Sequence, residues 1–256
     1  MSTIDTHPSD NGRGSDAWSA PWTHLRIDRP SARHCRVTFT HPPINTVTAA
    51  TVAELVELVG LIEQDADLNV VVFDSANPDY YLAHYDTEHD PRHTAALPRG
   101  PTGLDAWPDA LIRLARAPVV SIAAIRGRVC GAGSEFILAC DLRFASRENT
   151  RLGHVEIQAG GAPDGGATFR LPRLIGRGRA LEVLLVADHL DGLRAERYGY
   201  VNRLIADTQL DDEVDQIAAR LARFDHAAIA RTKSYIDRAT IPAGSEPPTA
   251  HALPDA

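Results

Sequence analysis

Two runs in this chain, LNVVVFDS (68–75) and PVVSIAAIRG (118–127), are apolar at consecutive positions rather than at alternate ones. A strand with one solvated face alternates; a run without alternation belongs to a strand covered on both faces, the situation of a parallel sheet between helices. Helical periodicity stands between and beside these runs. Val52, Leu55, Val56, Val59 and Ile62 share one face of HPPINTVTAATVAELVELVGLIEQD, and LDAWPDALIRLARA reads as a second helix. Strands alternating with helices specify an α/β core.

The remaining segments follow the same logic. LRIDRPSARHCRVTFT predicts two short strands about a turn at Pro30-Ser31, and DLRFAS predicts another strand. ANPDYYLAHYDTEHDPRHTAALPRGPTG has no period and predicts a long loop, of the kind that is functional or disordered. HVEIQAGGAPDGGATFRLPRLIG is broken by glycines. RGRALEVLLVAD predicts a helix, and RAERYGYVNRLI and DDEVDQIAARLARFDHAAIARTKSYIDRA are mostly helical in pattern. The ends, MSTIDTHPSDNGRGSDAW and IPAGSEPPTAHALPDA, carry no periodic signal. The first has no apolar signal-peptide core and reads as a disordered arm.

A formal charge of −8 argues against a nucleic-acid footprint. No apolar run approaches the ~20 residues of a membrane span. Three cysteines without a CxxC pair, Cys35, Cys130 and Cys140, read as reduced thiols of a cytoplasmic protein. The glycine clusters GRGRA and GGAPDGG lack the strand–GxGxxG–helix context of a dinucleotide site.

Chemistry concentrates in CGAGSEFILACD (130–141), read as strand, turn and helix. Small residues at Gly131, Ala132 and Gly133 let backbone N–H groups approach a ligand, and a helix start leaves such groups free. The positive end of the helix dipole favours developing negative charge, the physical requirement of an oxyanion hole. A tight turn packed on a sheet has the same composition. Glu135 could equally be a first-turn helix acid, and Glu156 a solvated loop acid.

PVVSIAAIRGRVCGAGSEFILACDLRFAS closely resembles the enoyl-CoA hydratase/isomerase (crotonase) family, whose segment runs P-x-I-A-A-[IV]-x-G-x-x-x-G-G-G-x-E-[LF]-x-[LM]-x-C-D-x-R-[IF]-A. GHVEIQAGGAPDGGATFRLPRLIGRGRALEVLLVAD, RAERYGYVNRLI and HPPINTVTAATVAEL resemble further motifs of that family in the right order, so that the likeness covers about residues 24 to 235. It implies the ClpP/crotonase-like fold: a spiral of ββα units with a helical C-terminal trimerisation region. The expected division is an arm over 1–21, spiral core over 22–190, helical region over 191–240 and irregular tail over 241–256.

The same resemblance implies reversible hydration of an α,β-unsaturated acyl thioester carried on coenzyme A, with no metal or redox cofactor. It assigns Glu135 to the water and Glu156 to proton exchange at C2. The backbone N–H groups of Tyr85 and Ala132 hold the thioester carbonyl, with Ala83, His84, Asp86, Gly131 and Gly133 lining the substrate. It also implies a homotrimer or dimer of trimers, without membrane or nucleic-acid partners.

This chain departs from the family pattern in three places. The A-G-A-D loop is AHYD (83–86), so His84 replaces a glycine and Tyr85 a small residue; a more crowded and polar pocket is expected, with the backbone donor kept. Thr87 and Glu88 stand where a lysine often follows, and the family's closing helices are not legible in the tail. These departures keep open a divergent isomerase, cyclase or hydrolase acting on an unusual acyl-CoA, a carrier-bound or a CoA-free substrate. A non-catalytic oligomeric scaffold is a further alternative, against which both glutamates speak. His84, Asp86, His89, Asp90 and His93 crowd one loop and raise a metal reading, but their spacing matches no named motif.

Overall fold

The computed structural model describes residues 18–86 and 96–240. Strands β1 (Leu25–Ser31) and β2 (His34–Phe39) pair antiparallel. Their turn falls at 32–33 rather than at Pro30-Ser31. The ladder is interrupted between Asp28 and Ser31, so Pro30, which has no N–H to donate, is accommodated in an irregular edge strand. Helix α1 (Ala49–Gln64) starts in a reciprocal capping box: the Thr51 amide donates to Thr48 Oγ1 and the Thr48 amide to Thr51 Oγ1.

From there the chain alternates between two sheets. β3 (Val70–Ser75), β5 (Val120–Ile125) and β7 (Leu142–Ser146) enter a six-stranded sheet, while β4 (Tyr80–Leu82), β6 (Arg128–Cys130) and β8 (Arg151–Gly153) enter a four-stranded one. Helices α2 (Ala106–Arg116) and α3 (Ala132–Ala139) follow the first two strand pairs, and a 3₁₀ turn (Glu156–Ala159) and α4 (Ala167–Ile175) the third. The sequence shows no internal repeat, yet two strands and a helix recur as the unit of the expected spiral. Helix α5 (Arg177–Leu181) runs into a π turn (Glu182–Val186), followed by β9 (Leu190–Asp191), α6 (Gly192–Tyr198), β10 (Arg203–Ile205), α7 (Leu210–Leu221) and α8 (His226–Thr240).

The large sheet runs β1-β2-β3-β5-β7-β10 and is parallel from β2 onward. Its two faces explain the unbroken apolar runs. Val71 and Phe73 of β3 enter the main core. Val70 and Val72 lie with Ile122, Phe144, Leu210 and Val214 in a second core beneath α7. Two sequence expectations are corrected. Residues 80–82, inside the expected loop, form β4, which is too short to show a period. VNRLI does not continue a helix: residues 203–205 are a parallel edge strand on β7, a pairing set by a partner some sixty positions away in the chain.

Helix α3 is held at three points. Phe136 meets Phe39 and Phe73 edge-to-face, with ring centroids 5.2 and 5.0 Å away. The buried Arg143 donates to the carbonyls of Ile137 and Cys140 at the C-terminal end of α3 and to that of Tyr200. At the N-terminal end the Gly133 amide donates to the Ala83 carbonyl at 3.0 Å, and a Cβ on Gly133 would lie 2.0 Å from the Leu82 carbonyl oxygen. Backbone on both sides leaves no flexible atom to yield. Gly133→Ala is therefore expected to cost about 2 kcal/mol or more, whereas Gly178→Ala, on a helix with nothing within 4 Å, should be neutral or stabilising by up to about 1 kcal/mol. Denaturant midpoints of the two variants check this, and equal midpoints would refute the close packing.

Candidate active site

The contact that seats α3 also joins the two segments expected to supply amides. The strand-like bridge between Val47 and Tyr85 takes the His84 carbonyl and the Asp86 amide toward Val47. In an extended backbone the intervening Tyr85 amide points the other way, and no described residue accepts from it. The Ala132 amide, at the first position of α3, likewise has no acceptor among the described residues, as the start of a helix dictates. A Cβ on Gly131, which has φ 54°, would lie 3.2 Å from His84 Cα and 3.7 Å from Glu156 Oε1. Tyr85 and Ala132 are each one residue along from this contact, so their free amides flank the same space.

His84 fits where a glycine was expected. Among the described residues outside glycine, only Asn45 and Ala187 have positive φ, so position 84 makes no demand for a left-handed backbone. Its ring Nδ1 lies 2.7 Å from the Tyr85 carbonyl. Gly131, lacking a side chain, leaves the room the histidine occupies. Ala83 is buried and its carbonyl is taken by Gly133; the Asp86 amide donates to the Val47 carbonyl. Of the histidine-loop residues, His89, Asp90 and His93 lie outside the described residues, as do Thr87 and Glu88. Among the described residues no group of three or more His, Cys, Asp and Glu side chains could hold a metal ion.

The two glutamates lie in opposite environments, with Glu156 Oε1 at the Gly131 contact. Glu135 is 2% exposed. It accepts from the Trp107 indole through Oε2 and from the Ala167 amide through Oε1, both at 3.2 Å. Gly165 presses against it: a Cβ there would lie 2.2 Å from Oε2. Burial, reinforced by the charge of Asp164, pushes the Glu135 carboxyl up to about 8, against the two donors that favour its charge. Burial pushes Glu156 up as well, but the His154 ring and backbone donors outweigh it and hold this carboxyl below the usual range. His154 Nδ1 lies 3.4 Å from Glu156 Oε1, and its Nε2 3.2 Å from the buried Tyr200 hydroxyl. Glu156 Oε2 is buried and meets no partner among the described residues. Near neutrality one acid thus keeps its proton and the other does not.

Sequence reading missed three groups here. Asp164 interacts electrostatically with Glu135, Glu156 and Tyr85; its signal, a carboxylate in a glycine-rich turn, was the one that singled out Glu135. Trp107 sits on the apolar face of α2, where its pattern reads only as core. Arg170, which donates to the Gly165 carbonyl at 2.9 Å and so steadies the loop against Glu135, carried no signal. Beside the carboxylates, an apolar cavity of about 310 Å³ opens among Ile157, Pro163, Thr168, Leu181 and Leu184. Glu135 and Glu156 are not in its walls, but Ile157 and Pro163 directly adjoin Glu156 and Asp164 in the chain.

The buried acid makes stability depend on pH. Below about 4.5 the folded and unfolded chains both hold the Glu135 proton. Between there and about 8 the unfolded chain releases it first, so the folded state loses relative stability as pH rises. The loss is complete above pH 8 and amounts to at most about 5 kcal/mol. Glu135→Gln lacks this penalty; its stability relative to wild type should grow from pH 4.5 to 8, and denaturation curves that run parallel across that range would contradict the assignment.

The Enoyl-CoA hydratase/isomerase family model matches residues 31–250. Two curated relatives are the short-chain-enoyl-CoA hydratase of Clostridium acetobutylicum, 29% identical over 84% of this chain and 77% of its own length, and the crotonyl-CoA hydratase of Syntrophomonas wolfei, 29% identical over 82% of this chain and 75% of its own. The crystal structure of a candidate enoyl-CoA hydratase from Streptomyces avermitilis superposes with a TM-score of 0.82 at 41% identity, covering 88% of this chain and 81% of that one.

Proposed function

Since the chain belongs to the enoyl-CoA hydratase/isomerase family, we propose that it adds water reversibly across the double bond of an α,β-unsaturated acyl-CoA. The observation that carries this reading is the meeting beside Gly131 of two segments with free amides, Tyr85 and Ala132, and of Glu156 Oε1, with the oppositely protonated Glu135 coupled to Glu156 by charge. The thioester oxygen accepts from the Tyr85 and Ala132 amides, which stabilise the enolate-like charge that builds as C3 is attacked. Ionised Glu156 takes a proton from water as the water oxygen bonds to C3. Protonated Glu135 delivers its proton to C2. Water is consumed: its oxygen and one proton become the C3 hydroxyl, its other proton is left on Glu156, the C2 proton comes from Glu135, and proton exchange between the acids and solvent resets the pair.

This division reverses the one the resemblance implies, in which Glu135 handles the water. It follows from electrostatics: a group that holds its proton to about pH 8 is an acid near neutrality, and one held below its usual range is a base. Ala83, His84, Asp86, Gly131 and Gly133 shape the space around the carbonyl. The reaction as written needs neither metal nor redox cofactor, and coenzyme A serves as carrier. The buried thiols of Cys35, Cys130 and Cys140 support a reducing, cytoplasmic setting.

Crotonyl-CoA hydration, followed by loss of enoyl-thioester absorbance, tests the reading. Glu135→Gln and Glu156→Gln are each expected to lower kcat by about 10²–10⁴-fold. In wild type, kcat/KM should fall above pH 8 as Glu135 loses its proton; a rise through pH 8 would make Glu135 the base. Absence of turnover would refute the hydratase reading itself.

The same reading includes a homotrimer or dimer of trimers. Its support is the apolar surface of the later helices, where Leu185, Val186, Leu193, Tyr235 and Ile236 are each more than half exposed, an unusual load for a solitary chain. A mass measurement in solution is expected to give three or six chains, and a monomer would overturn this assignment.

A further inference from the structure

Two buried titratable groups beside the site have no step in the reaction as written. His154, which follows β8, is 1% exposed, and Tyr200, just past α6, is 0% exposed. The Tyr200 hydroxyl lies 3.2 Å from His154 Nε2, and His154 Nδ1 lies 3.4 Å from Glu156 Oε1. Both ring nitrogens are committed to side chains, and one of these is the acid held ionised. Backbone contacts fix the frame around them. The Tyr200 amide donates to the Ala195 carbonyl, and the Tyr200 carbonyl accepts from Arg143. The Gly153 carbonyl, next to His154, accepts from the Gly131 amide and the Ser134 hydroxyl.

An ionised carboxylate only accepts, so Nδ1 carries a proton whenever Glu156 is charged. Nε2 is then an acceptor on the neutral ring and a donor on the charged one, and a hydroxyl answers either. Burial pushes the Tyr200 phenol above its ordinary range, so the hydroxyl keeps its proton. Without that hydroxyl, Nε2 would lose the hydrogen bond that fixes the rotation of the ring. Asp164 and Glu135 are coupled to Glu156 by like charge, whereas the His154 ring is the leading influence in favour of its ionised form. We propose that Tyr200 and His154 are positioning residues of the reaction: the hydroxyl orients the imidazole, and the imidazole presents Nδ1–H to Glu156, keeping that carboxylate aimed and ionised. The inference rests on the reading of Glu156 as the base. A histidine that merely filled the core would, on removal, change stability and leave the titration of the carboxylate where it is.

That titration is read without turnover, by carbon NMR of protein labelled at glutamate Cδ, the Glu156 resonance being identified through Glu156→Gln. His154→Leu is expected to raise the proton affinity of Glu156 about tenfold. His154→Asn, whose amide can stand in for Nδ1–H, should recover most of that difference. Tyr200→Phe is expected to raise the affinity about threefold, and to add nothing in the His154→Asn background, because the hydroxyl acts through the ring. Thermal melts confirm that each variant is folded; should His154→Leu not fold, the other two decide. The acid limb of kcat/KM for crotonyl-CoA should move to higher pH in step with the titration. An unmoved Glu156 titration in His154→Leu or in Tyr200→Phe, or an equal shift by Tyr200→Phe with and without His154, overturns the inference, while a positive crotonyl-CoA assay would leave the hydratase standing. Absence of turnover in wild type with the titration shifts intact would refute the hydratase and leave the linkage from Tyr200 to Glu156 in place.

Discussion

Everything at the site hangs on how closely two stretches of backbone approach at Gly133. Its amide bonds the Ala83 carbonyl, and a Cβ would collide with the Leu82 carbonyl oxygen. The first turn of α3 and the end of β4 are thereby fixed against each other without an intervening side chain. A helix start always leaves amides without partners; the seam at Gly133 determines that the free one at Ala132 faces a strand edge whose own free amide, at Tyr85, comes from a separate segment. The rest of the fold keeps this seam in place. Phe136 wedges α3 onto β2 and β3, and Arg143 ties down its far end through three carbonyls.

An acid on the buried face of that helix is the second constraint. Two N–H donors to Glu135 are not enough to offset its burial, and the charge of Asp164 adds to the cost of ionisation. Glu156, half-buried and beside His154, is in the opposite condition. Two identical side chains on one site thus acquire different protonation states from their surroundings alone, which is what general acid and general base require of a pair. Asp164 contributes by its charge to both acids, so the glycine-rich turn that bears it belongs to the electrostatics of the site as well as to its walls.

The parts of this arrangement legible in the sequence were those with local causes. Unbroken apolar runs announce strands covered on both sides, and the structure supplies a core on each face of β3. An acid among small residues announces Glu135, because no apolar packing pattern requires it there. What escaped has distant causes. β10 exists because β7 offers an edge, and β4 because β6 does; neither leaves a period in three residues. Trp107 was visible as an apolar residue on α2, but nothing local says that its indole reaches Glu135. His84 shows the converse error: a glycine's place in a motif suggested a backbone only glycine adopts, whereas position 84 has no positive φ.

That error bears on how the site can change. If the loop at 83–86 required glycine, any side chain there would distort the amide at Tyr85, and a crowded loop would mean a weakened oxyanion hole. The observed backbone separates the two. The bridge to Val47 fixes the direction of the Tyr85 amide through the His84 carbonyl and the Asp86 amide, whatever side chains positions 84 and 85 carry. Polar side chains can therefore be placed at positions 84 and 85 without disturbing the amide proposed to polarise the carbonyl.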